Sequence, residues 1–260
     1  MDKKFFDLDA KVVALNERLA RMGSGRRAAF LDDYNHKLDV SLLYHDNALE
    51  GVVLQYSEIK AAIDTRIISD VSLIPMYEEI KNQKAAFLFA REWAYSKKKA
   101  PLTLETVKKV YGILCPSEGA KGAPYRKDNP LHRAYYHEIS APDKILARMK
   151  KLVEWLGEDE TRRLHAVERA ARFHQRLMAI YPWTRSAGKL ARVLSNMLLM
   201  RDGYLPAVIH AIDRQRYYEV LRSETAGIVP LTAESCGASL ESALRALHEF
   251  DEQIRSRAAS

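Results

Sequence analysis

Phe5, Leu8, Val12, Leu15, Leu19 and Met22 follow one another at spacings of three and four residues, and Gly23-Ser24-Gly25 ends the run. That spacing keeps a single apolar stripe on an α-helix and cannot serve a strand, whose faces alternate every second residue. Eleven Gly and nine Pro in 260 residues fall below the ~12% average usage, so turns are few and elements long. A helical fold is favoured over a sandwich or barrel.

Further stripes extend this reading. Leu38, Leu42, His45 and Leu49 share a face of a helix expected from about 27 to 49, with Gly51 as its stop. Helices are expected over 57–66, over 75–97 after Pro75, and over 103–114. Between Pro116 and Pro142 the pattern breaks into Gly and Pro interleaved with Tyr125-Arg126 and Tyr135-Tyr136-His137, which predicts a long loop or β-hairpin. Loops of this length in a helical domain usually cover a functional site. Helices resume over 142–156 and as one run from Glu158 to Ile180, apolar on more than one face and therefore central. The irregular stretch 181–188 feeds a helix from Lys189 to Arg201, and two more are expected near 213–224 and 232–256.

No apolar run approaches the ~18 residues of a spanning helix. Asp7 and Asp9 interrupt the start before a signal peptide could form, and Cys115 and Cys236 stand far apart without a CxxC. These features read as an intracellular, cytoplasmic protein with reduced thiols and no membrane segment. The net charge of +7 is spread along the chain, and no recognition motif supports a nucleic-acid partner. His165 and His174 are nine residues apart, not the four of a helical metal pair, so no metal site is assigned.

Chemistry concentrates where a loop meets the buried helix after it. Backbone N–H groups and the positive dipole end make an anion site there, and Arg185, Lys189 and Arg192 add three cations. The cluster reads either as a phosphate clamp or as a solvated basic loop.

The stretch Tyr181-Pro182-Trp183-Thr184-Arg185-Ser186-Ala187-Gly188-Lys189-Leu190-Ala191-Arg192 resembles the Fic motif H-P-F-x-[D/E]-G-N-G-R-x-x-R. Gly203-Tyr204-Leu205-Pro206 and the segment from Asp213 to Leu221 are similar to the family's following segments. Tyr125-Arg126 and the run to Tyr136-His137 resemble its target-positioning flap. Tyr44-His45-Asp46-Asn47-Ala48-Leu49-Glu50-Gly51 is similar to its inhibitory helix, [S/T]-x-x-x-E-[G/N]. The resemblance implies an all-α Fic-like core over 101–260, with a β-hairpin flap at 122–138 and a motif loop at 181–192. It also implies an N-terminal helical extension over 1–100 carrying the inhibitory-type segment 44–51.

In this family the motif His is the general base in AMP transfer to a target hydroxyl, the carboxylate holds Mg²⁺ on ATP, and the second Arg pairs with the γ-phosphate or the inhibitory Glu. Here Tyr181 takes the place of the His, and a phenol with a reference pKa of about 10 is a poor base. Arg185 replaces the acid, Ser186-Ala187 replace Gly-Asn, and Lys189 keeps a charge without the fork. Gly188 and Arg192 survive. Glu50 with Arg192 reads as a structural salt bridge or as a gate on an anion pocket. Tyr217 and Tyr218 lie where the family builds its adenine pocket, with core packing as the alternative, and Tyr181 reads as a pocket filler or a nucleophile.

Two functions follow. One is a degenerate Fic protein without Mg-dependent AMP transfer, binding a nucleotide such as ATP without Mg²⁺, a phosphorylated ligand or a protein at the old active-site face. The other is a diverged enzyme using Tyr181, with Arg185, Lys189 and Arg192 as the phosphate clamp.

Overall fold

The structure is a computed structural model and describes residues 3–63, 74–98, 100–130, 138–222 and 227–259. Its α-helices are α1 (Lys3–Ala20), α2 (Ser24–Leu49), α3 (Tyr56–Ile63), α4 (Ile74–Tyr95), α5 (Leu104–Leu114) and α6 (Pro116–Gly119). They continue as α7 (Ile145–Trp155), α8 (Asp159–Arg163), α9 (Ala166–Ile180), α10 (Ala187–Arg201), α11 (Arg214–Arg222) and α12 (Ile228–Ala259). Among the described residues there is no strand, and no helix is long and apolar enough to cross a membrane.

The core is built around α10, which is buried from Ala187 to Met200. It lies against α9, α4 and α5, while α9 also meets α12 and α7. A helix enclosed on all sides must be apolar nearly all round, and Leu190, Val193, Leu194, Met197 and Leu198 meet that demand. The stripe that opens the sequence docks α1 onto α12, with Phe5, Leu8, Leu15 and Leu19 buried.

Two expectations are corrected. The run from 158 to 180 is two helices, because Leu164 is extended and the His165 ring accepts the Val167 N–H (3.3 Å), starting α9 afresh. The loop over 116–142 contains the short α6 and a 3₁₀ turn at Pro142–Lys144. The expected hairpin has no strand among its described residues, and 131–137, with His132, Tyr135, Tyr136 and His137, lie outside the description.

The end of α2 matters most for the site. Gly51, at φ +91°, donates to the Ala48 carbonyl (3.0 Å), and Val52 donates to that of Asn47 (2.9 Å). This 5→2 and 6→1 pair closes a helix only when the residue after the cap is left-handed, which Gly adopts without strain. The stop falls directly after Glu50 and fixes where its side chain leaves the helix.

Candidate functional site

The motif loop joins the two most buried helices. Tyr181 ends α9 in the left-handed region (φ 50°), its N–H bonded to the Leu177 carbonyl (2.8 Å). Ser186 is also left-handed (φ 53°) and precedes α10 without a side-chain cap. A non-glycine residue pays roughly 1–2 kcal/mol for that backbone, so the loop keeps its shape against local preference. Tyr181 is 0% exposed and its hydroxyl donates to the Thr184 carbonyl (3.3 Å).

The motif cations do not converge. Arg185 is exposed on the side of α5 and the 122–130 segment. Lys189 and Arg192, one turn apart on α10, point to α2 and are buried. Arg192 donates through Nε to Asp46 Oδ1 (2.8 Å), and through a terminal nitrogen to Glu50 Oε1 (3.0 Å). It also donates to the Asp46 carbonyl (3.3 Å) and the Tyr217 hydroxyl (3.3 Å). Lys189 donates to Asn47 Oδ1 (2.7 Å) and Glu79 Oε1 (2.6 Å). The Glu50 carboxylate rests against Gly188 in the first turn of α10, where a Cβ would overlap it. The positive end of a helix dipole favours a carboxylate at that spot.

This network is mutually satisfied. Asp46 accepts from Gln83 Nε2 (3.0 Å), whose carbonyl oxygen accepts from Asn47 Nδ2 (2.9 Å). Burial opposes the charge of Arg192, yet Asp46, Tyr217 and Glu50 together hold the guanidinium well above its ordinary value. Burial pushes the Asp46 carboxyl up, against the pull of Arg192 and Lys189. Tyr217 accepts from Arg192, so its proton goes to His174 Nε2 (2.9 Å); burial and the nearby Arg192 lower that imidazole to about 3 and keep it neutral. Tyr218 donates to the Leu49 carbonyl (3.0 Å), and Arg214 Nε donates to the same oxygen (3.0 Å). Both tyrosines are buried and tie α11 to the end of α2 and to α10.

Arg126 faces inward. It donates to the carbonyls of Tyr181 (2.7 Å) and Asp128 (3.1 Å), to the Ser140 carbonyl, and to Asn129 Oδ1 (2.7 Å). Its own N–H donates to the Pro182 carbonyl (3.0 Å). It therefore staples residues 126–129 and Ser140 to the end of α9. Tyr125 is half-buried against Trp183, ring centroids 5.1 Å apart.

Asp46, Asn47, Glu79, Gln83 and His174 carry this site without having been assigned to it from the sequence. The signal available was the four-residue spacing of Asp46 to Glu50 and of Glu79 to Gln83, two polar faces that match Lys189 and Arg192. Mg²⁺ does not fit the motif loop. The position that would supply its carboxylate carries the exposed Arg185, and Asp46 and Glu50 are engaged with Arg192.

Residues 101–199 match the family model described as the Fic/DOC family. The chain carries a Fic/DOC family domain. Over 259 residues it is 26% identical to protein adenylyltransferase Fic of Drosophila willistoni, covering 97% of this chain and 50% of that protein. The chain thus spans about half the length of the curated relatives it matches. A Fic domain containing signaling protein from Bacteroides thetaiotaomicron superposes with a TM-score of 0.80 at 24% identity, over 95% of this chain and 98% of the other. Fic-1 from C. elegans does so at 0.77 and 20% identity, over 94% and 71%. These likenesses show the Fic fold. Within it, α9, the motif loop and α10 of this domain hold the Arg192 network.

Proposed function

We propose that this Fic-domain protein does not carry out Mg-dependent AMP transfer and acts by binding a partner or ligand beside the motif loop. The observation that carries this is the occupancy of the would-be phosphate clamp. Both Arg192 and Lys189 are buried and spend their donors on Asp46, Glu50, Tyr217, Asn47 and Glu79. A nucleotide triphosphate would meet two cations facing three carboxylates, and could reach them only after the last turn of α2 withdrew. The phenol of Tyr181, buried and bonded to a carbonyl, supports the same reading, because a general base must reach the proton it removes. On this reading the Glu50–Arg192 pair is part of the packing of α2 onto α10.

The test is incubation with Mg²⁺ and ATP labelled at the α-phosphate, alongside a Glu50→Gly variant and a variant carrying Glu50→Gly, Tyr181→His, Arg185→Asp, Ser186→Gly and Ala187→Asn. The expected result is no transfer by the wild-type chain or by Glu50→Gly. Transfer by the unmodified chain, to itself or to a protein in a lysate, would overturn the proposal.

A further inference from the structure

A cavity lies on the other side of the motif loop from the Arg192 network. It measures about 240 Å³ and is lined by Tyr111, Glu118, Tyr125, Arg126, Trp183 and Arg185, with Pro124 and Thr184. Its walls are aromatic. Tyr111 stacks on Trp183 at 4.2 Å between centroids, nearly parallel, and the Trp183 Nε1–H is fixed by the Ala123 carbonyl (3.3 Å). Tyr125 tilts against the same indole, with Lys108 Nζ 5.2 Å over its ring.

The charges around this cavity are not balanced. Arg185 is exposed and, among the described residues, enters no hydrogen bond or ion pair. Among the described residues the hydrogen-bond partners of Arg126 are carbonyl and amide oxygens, so its hydrogen bonds are met while its charge lacks a carboxylate. Among the described residues Glu118 is the one acid lining the cavity, and Lys121 lies 3.4 Å from it. Among the described lining residues Arg126 and Arg185 therefore stand against one carboxylate, which Lys121 already neighbours. A concave site with low-dielectric walls and an excess of one sign concentrates the opposite charge.

The geometry points to a binding site for one aromatic ring bearing a phosphate or carboxylate, the ring against the wall that Tyr125 and the edge of the Tyr111–Trp183 stack form and the anion on Arg185. The size decides against a whole nucleotide, since pockets for drug-sized ligands start at roughly 300 Å³. The anion would be gripped by the guanidinium fork of Arg185, which suits phosphate and carboxylate alike. This site is separate from the Arg192 network, and the inference stands whatever becomes of AMP transfer. Such a group can arrive as a phosphotyrosyl side chain of a partner protein or as a free aryl phosphate.

The test uses the full chain with ¹⁵N-labelled tryptophan, whose three indole signals come from Trp93, Trp155 and Trp183. Titration with phenyl phosphate is expected to shift the Trp183 signal saturably and leave the other two in place, with inorganic phosphate at least tenfold weaker. Arg185→Ala, at an exposed position without a partner, should keep the fold and weaken binding by about ten- to a hundredfold, the scale of a charged hydrogen bond. Glu118→Gln should tighten it. A phosphotyrosyl peptide that binds more tightly than phenyl phosphate, while its unphosphorylated form does not bind, assigns the site to a partner chain; equal or weaker binding assigns it to a free small molecule. The inference is overturned by the absence of saturable shifts, by shifts centred on Trp155 or Trp93, by inorganic phosphate binding as well as phenyl phosphate, or by Arg185→Ala binding unchanged.

Discussion

Asp46→Ala tests whether the deep part of the network is held by the aspartate or by Glu50. The Asp46 and Arg192 side chains are 4% and 3% exposed, whereas Glu50 is 20% exposed at the edge. Removing Asp46 takes the acceptor from Arg192 Nε and from Gln83 Nε2 at once, leaving two buried donors unpaired. Breaking one side of a buried ion pair costs about 3–5 kcal/mol. At ~2–4 °C per kcal/mol for a chain of this size, the melting temperature should fall by roughly 6–20 °C. Glu50→Ala leaves Arg192 its aspartate and should cost about 1 kcal/mol, the upper end for a pair that water reaches. The double change Asp46→Leu with Arg192→Met removes both charges and should recover part of the loss, because neither of the two is left unpaired although Gln83 Nε2 and Glu50 still lose a partner. Urea unfolding followed by circular dichroism measures all three. A Glu50→Ala loss equal to or larger than that of Asp46→Ala would refute the reasoning.

The close approach at Gly188 gives a second prediction. Gly188→Ala should destabilise by about 1–3 kcal/mol, the cost of overpacking, because its Cβ overlaps the Glu50 carboxylate; adding Glu50→Gly should restore most of it in the same urea assay. Acid sensitivity gives a third. The folded value of His174, about 3, lies below its unfolded value of about 6.5, so the unfolded chain takes up that proton first as the pH falls. Stability from this group is complete above pH 6.5 and is lost between 6.5 and about 3, at roughly 1.4 kcal/mol per pH unit. His174→Asn should flatten that part of the stability profile, and an unchanged slope would show that the ring is not the group responsible.

Much of the architecture was readable from spacing alone. The stripe from Phe5 to Leu19, the stop at Gly51 and the all-round apolar character of Leu190 to Leu198 each dictate a local outcome, and each is found. The break at Leu164 was not readable, because Leu164 and Val167 suit a continuous helix and only the His165 cap ends one and begins another. The motif loop was located, but the direction of its cations was not. One turn of α10 sends Lys189 and Arg192 to α2, and Arg185, ahead of the left-handed Ser186, leaves on the opposite side. Proximity in sequence made a cluster of three; helix geometry made a pair and a single residue.

That separation changes what the substitutions in the motif do. Relative to the Fic pattern, a carboxylate stands at 46 in place of a small hydroxyl, and a cation stands at 185 in place of an acid. The first adds negative charge on the α2 side of the loop, where Asp46, Glu50 and Glu79 now exceed Arg192 and Lys189. The second adds positive charge on the α5 side, where Arg185 and Arg126 face one glutamate already neighboured by Lys121. Neither change alone would redirect a ligand. On the proposed reading they together repel an anion from the Arg192 face and attract it to the aromatic cavity, across a loop only a few residues long. Electrostatic preference of this kind weakens with salt for the exposed Arg185 and little for the buried Asp46–Arg192 pair. Ionic strength therefore distinguishes the two sides: aryl-phosphate binding should fall as salt rises, while the packing of α2 on α10 holds.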